Sequence, residues 1–253
     1  MSIDMILIGF LVGSLVGMTG VGGASLLTPI LVLLGINPVI AIGTDFAYNS
    51  ITKLFGAIQH IRQKTVNFQL VKYLAIGSLP AAILANFLFY YFFSSYYNEA
   101  LIILLLGLVL VIVSIITLVQ IFIIRTPVNR WKLKPLSEKR HITIIAGVII
   151  GAIVGVTSIG AGSLFALFIL YFYNLKSSEL VGTDITHAFL LVSIVGILMA
   201  GLGHIDYILV GNLLCGSIPG ALIGSKLTDK IPSNVMRIVI LVIILISGIS
   251  LIF

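Results

Sequence analysis

Apolar residues run along this chain in long blocks separated by short polar stretches, and the blocks fall into two sets of five. In the first set we predict helical segments over residues 3–19, 23–35, 38–61, 67–93 and 99–124. The second set covers residues 141–157, 161–173, 178–202, 206–226 and 233–253. Blocks such as 99–124 and 233–253 reach the roughly 20 apolar residues that a helix needs to cross a bilayer. The pattern therefore predicts an all-α, polytopic membrane protein.

The two sets share three motifs in the same order. "GMTGVGGASL" at Gly17 matches "GVTSIGAGSL" at Gly155, and "GTD" at Gly43 recurs at Gly182. "GSLPAAILAN" in the fourth block of the first set matches "GSIPGALIGS" in the fourth block of the second. The three matches keep the same spacing apart from a slip of a single position, which indicates an internal repeat of a five-segment unit.

Basic residues fix the orientation of the repeats. The linker 125–140, "RTPVNRWKLKPLSEKR", holds six Lys and Arg residues and one acidic residue, so we expect it to be cytoplasmic. Counting segments outward from it places both termini on the extracytoplasmic side. We therefore predict one membrane domain: a first transmembrane repeat over 1–124, the basic linker 125–140, and a second, inverted repeat over 141–253. Inverted repeats are common among secondary transporters, which bind substrate near the bilayer midplane.

Composition argues against a soluble domain and against a nucleic-acid-binding protein. Hydrophobic residues make up 60% of the 253 positions and charged residues 9%, whereas soluble domains have about 25% charged residues. The net charge of +6 comes from loops between apolar blocks rather than from one soluble face, so we expect no nucleic-acid partner. The expected location is the cell membrane, with the lipid bilayer as a partner.

The second segment of each repeat is too short to cross the membrane. About 13 residues span about 20 Å as a helix, against a hydrocarbon core of about 30 Å. We therefore expect a non-helical break before each short helix, which is tolerated only inside protein or beside a wet cavity. A helix N-terminus there would attract an anion. The candidate substrate-binding residues in the two breaks are Thr19, Gly20, Gly22, Gly23, Ser25, Thr157, Ser158, Gly160, Gly162 and Ser163.

The breaks allow two other interpretations. Small residues also allow helices to pack closely in membranes, and this explanation stays open. A nucleotide-binding loop fits less well, because the first break has Ser25 where that motif needs glycine and has no lysine for a phosphate.

Ionisable residues lie inside the third segment of each repeat. Asp45, Asn49 and Lys53 recur every four residues and so share one helical face, and Asp184 and His187 lie on the matching segment. Because burying such groups is costly, they are candidates for function. We assign Asn49 and Lys53 to substrate binding, and Asp45, Asp184 and His187 to coupling with protons or cations. The structural alternative is that these groups neutralise one another or cap the broken helices.

The chain resembles the TauE/SafE family of membrane transporters, also called sulfite exporters. The likeness rests on the motifs "GVGGASLLTP", "AIGTDFAYNSITKLFGAIQH" and "GSLPAAILAN", and on the similar motifs in the second half of the chain. The resemblance implies export of small anions, such as sulfite and organosulfonates, by a secondary mechanism. A carboxylate beside an anion site disfavours the anion unless the carboxylate is protonated or neutralised by Lys53 or a bound cation.

The expected function is therefore export of small sulfur-containing anions by alternating access, with protons as the candidate coupling ion. The alternative is a passive anion channel, which could not drive accumulation from a pH gradient. An enzyme is not expected, because the sequence shows no nucleophile with a base and no cluster of His and Cys metal ligands. No cofactor is expected, and assembly as a homo-oligomer stays open.

Overall fold

The computed structural model describes residues 3–19, 24–92, 99–123, 130–227 and 233–253. These residues form helices α1 (Ile3–Thr19), α2 (Ala24–Leu33), α3 (Pro38–Arg62), α4 (Phe68–Phe87), α5 (Glu99–Ile123), α6 (Arg130–Leu133), α7 (Arg140–Thr157), α8 (Leu164–Phe172), α9 (Ser177–Gly201), α10 (Tyr207–Leu227) and α11 (Ser233–Ile252). A π-helical turn, Leu88–Phe92, continues α4, and a 3₁₀ turn, Leu136–Lys139, leads into α7. The ten predicted segments are confirmed as helices to within a few residues at each end.

Five stretches among the described helices are long and apolar enough to cross a bilayer: Phe68–Tyr90, Ala100–Val119, Leu136–Thr157, Ser178–Gly201 and Tyr207–Gly224. By contrast, α2 has 10 residues and α8 has 9, which gives each a length of about 15 Å or less. The prediction of an all-α membrane protein with several spans is confirmed, and so is the shortness of the second helix in each set.

The helices of the first set pair crosswise with those of the second. Helix α1 packs along α10, α4 along α7, α3 along α9, and α5 along α11. Glycines line the first two of these contacts. A Cβ atom added at Gly13 would lie 2.4 Å from the carbonyl oxygen of Ser217, and one added at Gly151 would lie 2.5 Å from that of Ser78. Backbones therefore touch backbones, which is the close packing that small residues permit in membranes.

The threonine of each "GTD" motif holds the start of a neighbouring helix. The Thr183 hydroxyl on α9 accepts a 3.0 Å hydrogen bond from the backbone N–H of Asn67, at the start of α4. The Thr44 hydroxyl on α3 accepts one of 3.3 Å from the backbone N–H of Asp206, at the start of α10. These bonds satisfy amide groups that a helix start leaves unpaired. They also fix the positions of the two motif aspartates, one residue further along.

A buried lysine attaches the linker to the short helix α8. Lys139 is 2% exposed, and its Nζ donates a 3.0 Å hydrogen bond to the carbonyl oxygen of Phe172, the last residue of α8. The same Nζ lies 4.6 Å from the centre of the Tyr173 ring. A cation at the C-terminal end of a helix is favourable because it faces the free carbonyl groups.

We expect Lys139→Met to lower the thermal stability of the purified protein. The variant loses a charge-assisted hydrogen bond and a cation–π contact, together about 1–3 kcal/mol. Lys134→Met is the matched control, because Lys134 is exposed and pairs with exposed Glu138 at 3.6 Å, a kind of pair that contributes about 0–1 kcal/mol. Unfolding temperatures measured side by side would contradict the role of Lys139 if both variants melted alike.

Candidate functional site

The break between α7 and α8, residues 158–163, lies in the protein interior. Ser158 ends α7 in the left-handed region at φ 60°, and Gly160 follows at φ 94°. Ser158, Ile159 and Ala161 are all 0% exposed. The second predicted break is therefore real and buried, and at Gly160 it uses a backbone angle that favours glycine.

The first predicted break, with Gly20, Gly22 and Gly23, lies outside the described residues, and so do the side chains of Thr19 and Ser25. The geometry of the site is therefore built on the second break. Gly162, in that break, is buried like its neighbours.

Helix α3 holds the second break at two points. The Asp45 carboxylate accepts a 2.7 Å hydrogen bond from the Ser158 hydroxyl and another of 2.7 Å from the Asn49 side-chain amide. Two turns further along α3, Lys53 Nζ donates a 3.2 Å hydrogen bond to the carbonyl oxygen of Ala161. The predicted polar stripe thus faces the break, with Asn49 bonded to Asp45 and Lys53 reaching past both to the other repeat.

Donors from α4 and its π-helical turn occupy the carbonyl groups at the end of α7. The Asn86 side-chain amide donates a 2.8 Å hydrogen bond to the carbonyl oxygen of Gly155, and the Tyr90 hydroxyl donates one of 2.5 Å to that of Val156. The electronegative end of α7 is therefore already bonded. Sequence reasoning missed both donors; the signal was an amide side chain deep in an apolar segment.

Two hydroxyls of the break differ in what they offer a ligand. Thr157 donates to the carbonyl oxygen of Ile153 at 2.8 Å, so its hydrogen is engaged within its own helix. Ser163 takes the N-cap position of α8, and within the described ranges its buried hydroxyl has no hydrogen-bond partner. Of the two, Ser163 is the one free to bind a ligand at the start of α8.

His187 approaches the same end of α8 from α9. It is 0% exposed, its ring centre lies 4.3 Å from that of Phe165, and its Nε2 lies 2.8 Å from the Ser78 hydroxyl. If the Ser78 hydroxyl donates to Nε2, the proton of a neutral His187 lies on Nδ1. In the described part of the chain, that buried Nδ1 has no hydrogen-bond partner. Ser78, which sequence reasoning missed, therefore sets which nitrogen of His187 can donate to a ligand.

Lys53 is the buried cation among these groups. Its ammonium acts electrostatically on Asp45, Asp184 and His187. Asp184 is 6% exposed, and its Oδ1 has no hydrogen-bond partner. In the part of the chain that the structure describes, the one ion pair in direct contact is the exposed Lys134–Glu138 pair, so Lys53 touches neither carboxylate. Unpaired buried charge is costly, which is typical of a site that takes up a ligand or a proton.

His204 lies in the turn between α9 and α10 and is a neutral neighbour of Tyr90. His204 in this turn packs its ring against that of Tyr90 at 6.0 Å between centres. Burial lowers the pKa of His204, because the charged form loses hydration. The imidazole is thus held neutral at physiological pH.

The chain is similar to bacterial proteins described as membrane transporters. It is 55% identical over its full length to the full length of "Probable membrane transporter protein YjnA" from Bacillus subtilis (strain 168). It is 29% identical to "Probable membrane transporter protein YdhB" from the same organism, covering 98% of this chain and 99% of that protein. No solved structure matches. Residues 5–251 match the family described as sulfite exporter TauE/SafE, and the chain therefore belongs to this family of membrane transporters.

Proposed function

We propose that this chain is a secondary transporter that exports small sulfur-containing anions, sulfite or an organosulfonate, by alternating access. One observation carries the proposal: Lys53 Nζ, the Ser163 hydroxyl and the His187 ring contact or belong to the residues that begin α8, and among the described residues the Ser163 hydroxyl and Nδ1 of His187 have no partner. An ammonium, a hydroxyl and, with Ser78 donating to Nε2, an imidazole N–H at the positive end of a helix suit a small oxyanion. The carbonyl groups at the end of α7, which would suit a cation, are bonded to Asn86 and Tyr90.

The crosswise packing supports an inverted repeat, with the units 1–124 and 141–253 joined by the linker 125–140. When each helix is replaced by its counterpart in the other repeat, contacts α1–α10 and α4–α7 exchange, whereas α3–α9 and α5–α11 map onto themselves. The matched pairs Gly13–Ser217 and Gly151–Ser78 repeat this symmetry at the level of single atoms. In this proposal the site lies between the repeats, where the halves can rock about it. In the cell membrane the linker faces the cytoplasm and both termini face outward.

Protons supply the coupling in this proposal. Asp45 and Asp184 lie near the same lysine, so two ionised carboxylates would give the cluster a net negative charge and oppose an anion. Protonation of a carboxylate removes that opposition. A passive anion channel, the alternative, would carry an organosulfonate, whose charge is constant near neutral pH, without any response to a pH gradient.

We expect purified protein in liposomes to accumulate radiolabelled sulfite when a pH gradient is imposed, and empty liposomes not to do so. Ser163→Leu should lower the initial rate at least about tenfold, because the bulky side chain fills the space at the start of α8 and removes a donor worth about 1–1.5 kcal/mol. Ser250→Leu, at an exposed position of α11, is the matched control and should transport like wild type.

Unchanged flux in Ser163→Leu would place the anion elsewhere. Uptake of an organosulfonate, which does not titrate near neutral pH, that equilibrates but never exceeds the outside concentration, whatever the pH gradient, would favour the channel. The same measurement with Ser25→Leu tests the first break in the same way.

A further inference from the structure

We infer that Asp184 is the carboxyl group that takes up and releases the coupling proton, and that Asp45 is a positioning residue that holds the second break in place. The inference rests on the proposed function for the anion that travels with the proton. The sequence assigns proton coupling to both aspartates, which lie at matched positions in the two repeats. The inference gives each of them a separate role.

Asp45 has the surroundings of a carboxyl group held in place. One oxygen accepts the Ser158 hydroxyl and the other accepts the Asn49 side-chain amide, both at 2.7 Å, and the residue is 0% exposed. Hydrogen bonds donated to a carboxylate favour its charged form. A proton arriving at Asp45 would weaken bonds that attach α3 to the break, so this carboxyl group is suited to hold the fold rather than to cycle between protonation states.

Among the residues that the structure describes, Asp184 has no counterpart of these two partners. Its Oδ1 is buried and has no hydrogen bond there. The sequence explains the difference, because Ala188 stands where the first repeat has Asn49, and Gly20 stands at the position matching Ser158. The second repeat therefore has the matching acid, Asp184, but the residues that match the two hydrogen-bond donors of Asp45 carry no donor in their side chains.

The groups around Asp184 leave Lys53 as its charged neighbour. Lys53 reaches it from α3, and His60, at the end of α3, lies beside Gly182, with its Nδ1 3.0 Å from where a Cβ would stand. On α9 itself the neighbour is the neutral His187, bonded to Ser78 of α4. Asp45 and Tyr48 lie earlier on α3, about one to two turns from Lys53. The remaining ionisable residues of α9 and the helices packed on it lie near helix ends: Arg62 on α3, Lys72 and Tyr73 on α4, Arg140 and His141 on α7, Tyr171 on α8, and Glu179 on α9 itself.

These surroundings couple the proton to the anion. While Asp184 is ionised, its charge offsets that of Lys53. A proton bound to an Asp184 oxygen cancels the negative charge and leaves the ammonium to attract an anion. Proton and anion therefore cross together in the same direction. Divalent sulfite moving with one proton carries a net charge of −1, so a membrane potential that is negative inside favours export.

Infrared spectroscopy of the purified full-length protein tests the assignment without a substrate. Across the neutral pH range we expect wild type to show a titrating band of a protonated carboxyl group, and Asp184→Asn to lose it. Ser158→Gly should keep the band; glycine accepts the left-handed backbone at this position, so the variant removes a partner of Asp45 without strain. Asp45→Asn should also keep it and melt at a lower temperature. Retention of the whole band in Asp184→Asn, or its loss in Asp45→Asn, overturns the inference.

Transport in liposomes gives the second readout. For wild type, coupling to one proton predicts an accumulation ratio for sulfite that changes about tenfold per unit of imposed pH gradient. Asp184→Asn should exchange internal for external sulfite yet show no accumulation, whereas the control Ser250→Leu, at an exposed position of α11, should accumulate. Because sulfite itself titrates near neutral pH, variants are compared at each pH.

The outcomes separate the two proposals. If wild type moves no sulfite, the proposed function fails. The infrared bands still test whether Asp184 is the group that binds the proton. If Asp184→Asn accumulates sulfite as wild type does, the proposed function stands and the inference is wrong.

Discussion

Replacing Lys53 with methionine should abolish accumulation of sulfite and weaken its binding about 10- to 150-fold. The ammonium is the buried cation that faces both aspartates, and a hydrogen bond between charged groups contributes about 1.5–3 kcal/mol. Methionine keeps most of the length of the side chain and removes the charge. The matching position of the second repeat is Val192, which is 0% exposed, so the helix pair tolerates an apolar residue in this environment. Sulfite titrations followed by thermal shift, together with uptake into liposomes, measure the two effects.

Lys72→Met is the matched control, because Lys72 lies exposed on α4. It should bind and transport like wild type. Comparison of unfolding temperatures without sulfite separates loss of binding from loss of folding, since Lys53→Met also removes the bond to the Ala161 carbonyl. Wild-type affinity in a folded Lys53→Met protein would exclude Lys53 from the anion site.

Gly151→Leu should prevent the protein from folding. A Cβ at this position would lie 2.5 Å from the carbonyl oxygen and 2.6 Å from the Cα of Ser78, so the backbones of α4 and α7 would have to separate. Overpacking that moves backbone costs about 3 kcal/mol or more. The separation would also draw Ser78 away from His187. We expect little monodisperse protein on size-exclusion chromatography and a large fall in unfolding temperature for what remains.

Gly211→Leu provides the control for this substitution. Gly211 belongs to a transmembrane helix too, but nothing lies within 4 Å of an added Cβ, so the variant should fold and transport. Gly13→Leu, at the matching contact between α1 and α10, should fail as Gly151→Leu does. A well-folded Gly151→Leu protein would be incompatible with the close contact of α4 and α7.

Much of the architecture was predictable because its causes are local in the sequence. A run of apolar residues has to form a helix in lipid, where backbone groups have no water to bond, so the spans follow from composition and length. The shortness of α2 and α8 follows from the glycines before them. The stripe of Asp45, Asn49 and Lys53 follows from helical spacing, since residues four apart share a face.

The contacts of the site were less predictable, because they join residues far apart in the chain. Ser78 reaches His187 across 109 positions, and Asn86 reaches the carbonyl of Gly155 across 69. A serine or asparagine in an apolar segment signals a polar contact but does not name the partner. Thr157 is the opposite case. It was expected to bind a ligand, but its hydroxyl donates a hydrogen bond to a carbonyl of its own helix.

The sequence alone determined the class of membrane protein, the doubled unit and the residue types available to the site, because hydropathy, repeat offset and helical spacing are properties of the chain. Only the tertiary structure decided which groups meet. Both oxygens of Asp45 are bonded, whereas one oxygen of Asp184 has no partner among the described residues, because each carboxylate depends on what the neighbouring helices bring within hydrogen-bond distance.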